Sequence, residues 1–304
     1  MTSNLDNSNV SKVLGKTVNY PNQYDASILV REPRQGNRKH LNLDDDDLPF
    51  TGYDIWNAWE VSCLTKHGCP VTAIAKIVYP CDNEYIVESK SLKLYFNSFN
   101  MTRFGDTQKE AYEEMTEAVE CDLSNLLETD VKVYLYRPYD LRGKTSSMFK
   151  QEHYDTLEVD TKLCNSAVFN TYTEDPSLLR TRIINGHLVR QYYHSSLLKS
   201  NCRVTHQPDW GDVFIYIKCN QQLDRLGLMK YIVSFRDENH FHEEICETIY
   251  KRLWDIFHPT ELAVTCLYAR RGGIDINPTR VSDIGLLNLD LIDPETPFAK
   301  TSRQ

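Results

Sequence analysis

Apolar positions fall into two sets that resemble each other. From Ser91 the chain reads SLKLYFNSFNMTRFGDTQKEAYEEMTEAVECDLSNLLETDVKVYLYRP, and from Gly227 it reads GLMKYIVSFRDENHFHEEICETIYKRLWDIFHPTELAVTCLYAR. Each begins with an aromatic-rich segment ending in Ser-Phe, Ser98-Phe99 and Ser234-Phe235, and another phenylalanine follows, Phe104 and Phe241. In the first, Ala111, Met115, Val119, Leu123 and Leu126 recur at helical spacing, with Thr107 and Glu110 placed to form a capping box. In the second, Ile245, Ile249, Leu253 and Phe257 recur likewise, and Pro259 ends the pattern. A strand with period-two alternation closes each set: Val131, Val133 and Leu135, then Leu262, Val264, Cys266 and Tyr268. Upstream, VTAIAKIVYP and GDVFIYIKC read as strands. The shared order of strand, strand, helix, helix, strand predicts an internal duplication, two α+β units in one chain.

Around these units the pattern is less regular. Residues 1–40 are polar, with a basic patch at Arg31–His40, and read as an arm or peripheral covering; DDDD at Asp44–Asp47 reads as a solvated loop. Between the units, HYDTLEVDTK and AVFNTYT suggest extra strands. The expected division is an arm over 1–40, a first domain over 41–175 and a second over 176–304.

Composition narrows the function. The chain has 304 residues, 41% hydrophobic and 25% charged, as in a globular protein of one large or two ordinary domains. No apolar run approaches bilayer length, and the polar N-terminus lacks a signal-peptide core, so a cytoplasmic protein without membrane contact is expected. Nine cysteines without framework spacing fit reduced thiols. A net charge of −9 argues against extensive contact with a nucleic-acid backbone, although RTRIINGHLVR and YARRGG are local basic patches. Neither a GxGxxG nor a Walker loop is present, so any nucleotide cofactor is held by other means.

The differences between the two units point to chemistry. CPVT at Cys69–Thr72 lines up with CRVT at Cys202–Thr205, but seven residues past Cys69 stands Lys76, whereas Asp209 follows Cys202. Opposite His242 and Glu243 the first unit offers Gly105 and Asp106; ESKS at Glu88–Ser91 lies opposite Asp224–Gly227. Each unit has polar features the other lacks, which suggests a composite site. In SNCRVTHQPDWG, residues 200–211, Cys202 and Asp209 are placed on a loop before the strand Val213–Ile217. Because a thiolate and a carboxylate repel, one proton would be shared between them, with the carboxyl a candidate to carry it. Three other readings stand beside this one. Cys202 is buried packing and Asp209 a turn cap; Cys202 and His206, with His242, are zinc ligands; or His242-Glu243-Glu244 only complement a helix dipole, with Lys90 and Lys93 solvated.

Longer matches separate these readings. ESKSLKLYFNSF resembles the signature of the nitrile reductases of queuosine biosynthesis, the NADPH-dependent 7-cyano-7-deazaguanine reductases. SNCRVTHQPDWG, VSFRDENHFHEE and YARRGGIDINP resemble segments of that family's long, two-domain branch, and the likeness runs from LPFTGYDIW near Leu48 to Pro278. The resemblance implies an α+β protein of tandem tunnelling-fold (T-fold) domains, antiparallel sheets backed by helices, forming a homodimer or higher homo-oligomer. It also implies reduction of the nitrile of 7-cyano-7-deazaguanine to 7-aminomethyl-7-deazaguanine, a four-electron change that consumes two NADPH and proceeds through a covalent thioimidate. On this likeness Cys202 is the nucleophile and Asp209 the proton donor. Val87, Glu88, Ser89, Phe241, His242 and Glu243 bind the deazapurine; Ser89, Lys90, Arg271 and Gly272 bind NADPH. Neither a metal nor direct nucleic-acid contact is expected, and Cys69 is a non-catalytic counterpart of Cys202. The runners-up are a zinc-dependent enzyme of the GTP cyclohydrolase type and a non-catalytic purine- or RNA-binding module.

Overall fold

The computed structural model describes residues 23–139, 141, 149, 153–183, 187–296, 301 and 303–304; most of the N-terminal arm and part of RTRIINGHLVR lie outside them. The first half runs through β1 (Arg31–Pro33), α1 (Gln35–His40), β2 (Thr51–Thr65), β3 (Pro70–Pro80), β4 (Tyr85–Val87), α2 (Ser89–Ser98), β5 (Arg103–Phe104), α3 (Gln108–Leu127) and β6 (Lys132–Tyr136). The second continues with β7 (Asp155–Thr156), α4 (Thr161–Ser166), β8 (Thr181–Ile183), β9 (Val189–Cys202), β10 (Pro208–Cys219), β11 (Gln221–Leu223) and α5 (Arg225–Ser234). It closes with β12 (Asn239–His240), α6 (His242–Phe257), β13 (Glu261–Tyr268) and β14 (Ile274–Val281).

Two long hairpins, β2–β3 and β9–β10, form the frame. Their strands enter one sheet in the order β12-β9-β10-β13-β14-β2-β3-β6, with β5 beside β2 and β7 beside β9. The long pairings are antiparallel, whereas the short β5, β7 and β12 lie parallel to their neighbours. The halves join where β14 pairs with β2 from Ile274 opposite Ala58 to Val281 opposite Thr51. At that seam Gly52 has φ +146°, and a Cβ there would stand 2.1 Å from the Thr279 carbonyl oxygen, so only glycine lets the strands meet.

Each half lays its two long helices on the sheet, which supplies the apolar cover a hairpin lacks alone. In α3 the buried stripe is Ala111, Met115, Val119, Leu123 and Leu127. The stripe ends on Leu127 rather than the expected Leu126, which is only partly buried. The Thr107–Glu110 capping box forms, each side chain accepting from the other residue's backbone N–H at 3.2 Å. In α6, Ile245, Ile249, Leu253 and Phe257 are fully buried, and the helix ends at His258 with left-handed backbone before Pro259. Two large apolar cores result, one under each helix pair, and a smaller third cluster of Ile55, Val78, Phe149, Phe214, Leu267 and Leu291 draws on both halves.

The irregular segments depart from expectation. HYDTLEVDTK contributes only β7 before turning through Leu157–Val159 into α4, and AVFNTYT forms no strand. Leu157 enters the second core, and Glu158 accepts from the Ser196 N–H at 2.6 Å, so this stretch packs on the second half although the 41–175 division gave it to the first. Leu41, Leu43 and Phe50 do the same. Within Arg31–His40, Arg34 and Arg38 are not peripheral: both are buried in ion pairs. Asp44–Asp47 are exposed, as read.

Candidate active site

The turn of the second hairpin carries Cys202, the nucleophile expected from the sequence. Cys202 ends β9: its N–H donates to the Gln207 carbonyl at 2.8 Å, and its own carbonyl accepts from the His206 N–H at 2.9 Å. Alongside, β12 pairs with the same strand end, His240 opposite Cys202. Asp209 sits on β10 opposite Ser200. Because side chains alternate along a strand, Ser200 and Cys202 share a face, and Asp209 becomes a diagonal neighbour of Cys202 at ~7 Å. The expected loop is therefore a tight hairpin, and its acid is already within the strand.

Asp209 is buried and accepts from the Arg271 guanidinium, with His242 Nε2 at 3.5 Å. Burial by itself would raise this carboxyl; the hydrogen bond and charge of His242, then those of Arg271, outweigh it and hold Asp209 below the usual aspartate value. This corrects the expectation of a protonated Asp209: without ligand it is the anion of an ion pair. Arg271 is spent on that pair and on Gln207 Oε1 at 2.6 Å, rather than left open for a phosphate. It is held by the turn between β13 and β14, where Gly272 and Gly273 take φ +58° and +81°. His242, the first residue of α6, rests edge-on against Tyr268 with ring centroids 4.1 Å apart.

Glu243 follows on α6 and is almost wholly buried, with no hydrogen-bond partner on Oε1. Burial first, and then the Asp54 charge, push its carboxyl up to about 8, against the pull of Arg34 and Arg280. A buried acceptor left open is costly, so a ligand's donors would be welcome there. Glu88 differs: its two oxygens cap α2, accepting from the Lys90 N–H at 2.8 Å and the Ser91 N–H at 2.6 Å. Burial raises its carboxyl against those bonds. The neighbouring His240 lies between Glu238 at 3.3 Å and Glu244 at 3.1 Å, and although burial would lower it, these carboxylates push it up to about 9.

A single cavity of about 260 Å³ collects every residue that the family resemblance assigned to the site. Val87, Glu88, Ser89 and Lys90 come from the first half; Cys202, Asp209, Phe241, His242, Glu243, Arg271 and Gly272 come from the second. The volume is near the lower end for small-molecule sites, ~300–1,000 Å³, and admits a ring-sized ligand. One chain supplies both sets, through the β14–β2 seam and the start of α2. The sequence reading missed Trp56, Gln207, His240, Ile274 and Ile276 in the lining, and it left Lys93 as a solvated residue. The signal for Lys93 was its position one helical turn after Lys90.

The two halves align differently from the motif match. Thr65 lies opposite Phe104 as Cys202 lies opposite His240, and the Thr65 N–H donates to the Cys69 carbonyl as that of Cys202 donates to Gln207. Gly68 and His206 hold the left-handed position of the two turns. Thr65 is thus the positional counterpart of Cys202, Cys69 of Gln207, and Val71 of Asp209. The Cys-x-Val-Thr similarity is offset by the turn. At the helices, N-caps Thr107 and Phe241 pair Gln108 with His242 and Lys109 with Glu243, leaving Gly105 and Asp106 in the preceding loop. Glu88 and Asp224, however, both cap their helices, as the alignment of ESKS with DRLG required. His206 contacts Asn239 Oδ1 at 2.8 Å and does not line the cavity. Among the described residues no cluster of three His, Cys, Asp or Glu is arranged to hold a metal ion.

Comparison with known proteins agrees with this geometry. Residues 20–135 match the family model described as "Nitrile reductase, 7-cyano-7-deazaguanine-reductase N-term", and residues 208–283 match that of "QueF-like protein". The NADPH-dependent 7-cyano-7-deazaguanine reductase of Colwellia psychrerythraea is 36% identical over 300 residues, 96% of this chain and 95% of that protein. A crystal structure of an archaeosine synthase QueF-Like in the apo form is 19% identical, covers 31% of this chain and 91% of its own, and has a TM-score of 0.28, too low a likeness to bear on the fold. Since the first relative is matched along nearly its whole length, the chain belongs to the NADPH-dependent 7-cyano-7-deazaguanine reductase family.

Proposed function

We propose that this protein reduces the nitrile of 7-cyano-7-deazaguanine to the primary amine, with NADPH as reductant, as an enzyme of queuosine biosynthesis. The observation that carries the reading is the convergence, within one chain, of Cys202, Asp209, His242 and the open Glu243 oxygen on a single ring-sized cavity.

The ring's guanine-like edge offers adjacent N–H donors, and Glu243 in the cavity wall accepts them, Oε1 gaining the partner it lacks. Phe241 and Trp56 supply aromatic surface for the ring. Glu88 orders the start of α2, so that Ser89, rather than its own capped carboxylate, faces the ligand. With the ring so held, Cys202 adds to the nitrile carbon: an S–C bond forms and one C–N π bond breaks. The thiol proton passes to Asp209, ionised in the free enzyme, and from there to the nitrogen, giving a neutral thioimidate. His242 and Arg271 steady the Asp209 charge before and after this transfer. Hydride reduction of the thioimidate, expulsion of the thiol and reduction of the resulting imine complete the four-electron change. Two NADPH molecules, bound in turn, would supply one hydride each. Lys90 and Lys93 bring positive charge to the cavity, and bare Gly272, where a Cβ would stand 2.9 Å from Lys93 Nζ, keeps that approach open; both fit a phosphate-bearing cofactor, while Arg271 stays on Asp209 and Gln207.

The two halves, with their matched hairpins, helix pairs and cap positions, support a reading as tandem T-fold domains. The halves are divided between β6 and β7, earlier than residue 175, and preceded by an arm over 1–40 of which Gln23–His40 is built into the body. The same reading has two or more copies joining their sheets, with β6 leaving one edge without a neighbouring strand among the described residues. Its setting is the cytoplasm; no helix of the described residues is long and apolar enough to cross a membrane. No direct nucleic-acid contact is part of this reading.

The test is intact-mass measurement of the protein mixed with 7-cyano-7-deazaguanine in the absence of NADPH. A gain of one whole substrate mass, mapped to Cys202 and discharged when NADPH is added, is the expected result. An adduct on Cys69, or none at all while turnover proceeds, would refute the assignment.

A further inference from the structure

Behind Glu243 lies a group of charges that the steps above do not use. Arg34, Arg38, Asp54, Glu247 and Arg280 are all buried. Arg34 pairs with Asp54 at 2.6 Å and comes within 3.8 Å of Glu247; Arg38 meets Glu247 at 2.8 Å; Arg280 meets Asp54 at 2.8 Å and Glu247 at 3.0 Å. Three guanidiniums therefore share two buried carboxylates, which leaves one positive charge over. Asp45 also meets Arg38, at 3.0 Å, but on the solvent side where water screens it. Glu243 stands one helical turn before Glu247 on the same face of α6. Arg34 Nη1 and Glu243 Oε1 are both buried without hydrogen-bond partners, an unspent donor and an unspent acceptor on one cluster.

We infer that Arg34, delivered by the N-terminal segment, and Arg280 form a charge-holding device that makes Glu243 an anion when the substrate's N–H donors arrive, so that Arg34 is a positioning residue for ring binding. The inference rests on Glu243 being the ring anchor. A carboxylate facing two N–H groups must be ionised to accept both, yet a lone carboxylate in this depth of protein would keep its proton. The surplus positive charge supplies the compensation, and Asp54 opposes it. Tyr79 on β3 and Tyr268 on β13 also interact with Glu243, both with hydroxyls held neutral by burial, and Glu88, Lys90, Asp209, His240, His242 and Arg271 share its cavity. Without ligand the balance leaves Glu243 mostly protonated at neutral pH. Binding then releases a proton and strengthens as pH rises.

The experiment is calorimetric binding of 7-cyano-7-deazaguanine, from neutral to alkaline pH, to the full chain carrying Cys202→Ala, which isolates non-covalent binding. Arg34→Gln is expected to move the midpoint of the affinity–pH curve upward and to weaken neutral-pH binding roughly tenfold for each pKa unit moved. Asp54→Asn should move it downward, the opposite sign, and this arm stands even where Arg34→Gln fails to fold. In a Glu243→Gln background neither change should shift the curve. With Cys202 restored, Arg34→Gln should raise KM and spare kcat. A loss of affinity equal at every pH in both variants, or one that persists unchanged beside Glu243→Gln, would show mere structural damage and overturn the inference. Full affinity in Glu243→Gln alone would instead remove the anchor reading, and the inference with it.

Discussion

The two halves of the chain share a frame and differ at one corner. In both, a long hairpin ends in a tight turn with a left-handed residue, a short parallel strand braces that end, and a helix starts beside it. In the second half the corner holds Cys202, Asp209, His242 and Glu243. In the first, the same positions hold Thr65, Val71, Gln108 and Lys109, which present neither nucleophile nor acid, and the nearby Cys69 is exposed. What the first half contributes instead is the start of α2, where Glu88 caps the helix and Ser89, Lys90 and Lys93 face the second half's corner. The duplication therefore separates scaffold from chemistry. Apolar spacing and cap positions recur because both halves of the sheet need covering, whereas the set of Cys202, Asp209, His242 and Glu243 appears once, beside the seam.

Four experiments break or sharpen this comparison. The largest contrast is between the thiols: Cys202→Ala should abolish both adduct and turnover, whereas Cys69→Ala should leave kcat/KM unchanged, read by NADPH oxidation. Next, Asp209→Asn should slow adduct formation by ~10²–10⁴-fold, the range for loss of a proton-transfer group, while Val71→Asn at the matching position of the first half leaves the rate alone. Stopped-flow measurement of the adduct resolves the two.

Third, Glu243→Gln should weaken substrate binding roughly 10- to 150-fold, as expected for losing ~1.5–3 kcal/mol of hydrogen bonding to a charged group; Lys109→Gln should have no effect. The same residue sets a pH dependence. Its folded-state value, pushed up to about 8, lies above the ordinary glutamate value of 4.5, so the folded state binds the extra proton between them. That contribution is full below the unfolded value and is lost as pH rises through about 8. His240, raised to about 9 from 6.5, has the same sign over a higher window. The ligand-free protein should thus lose thermal stability from weakly acidic to alkaline pH, and Glu243→Gln should flatten the lower part of that slope. A slope unchanged in the variant would contradict the assignment. The smallest effect on chemistry is expected from Met115→Ala: ~2–5 kcal/mol of stability lost to a cavity in the first core, by denaturant titration, with adduct formation retained in the folded fraction.

Much of the frame was legible in order. Helical spacing from Ala111 and from Ile245, the capping box at Thr107 and the alternation before Pro80 and Cys219 all report local periodicity, which neighbouring residues decide among themselves. The slip from Leu127 to Leu126 is the ordinary ambiguity of a stripe whose last turn can end on either residue. The short β7, by contrast, was unreadable in extent, since its two paired residues depend on β9, distant in sequence. Differences between the two units marked Glu88, Cys202 and Glu243 as candidates, and family likeness, rather than periodicity, separated that reading from packing and helix capping.

The sequence by itself determined the duplication, the helix–strand order and the residue types available for chemistry, because each is written in spacing along the chain. Tertiary structure alone decided how they are used. It aligned Cys202 with Thr65 instead of Cys69, because strand register and turn hydrogen bonds, not four similar letters, set equivalence. It ionised Asp209 by bringing His242 and Arg271 to it from two other elements. It took Arg34 and Arg38 out of the basic stretch at Arg31–His40 and buried them in ion pairs with Asp54 and Glu247. These outcomes are sums of burial and Coulomb interaction among residues far apart in the chain, and those distances exist only once the sheet has closed along β2 and β14.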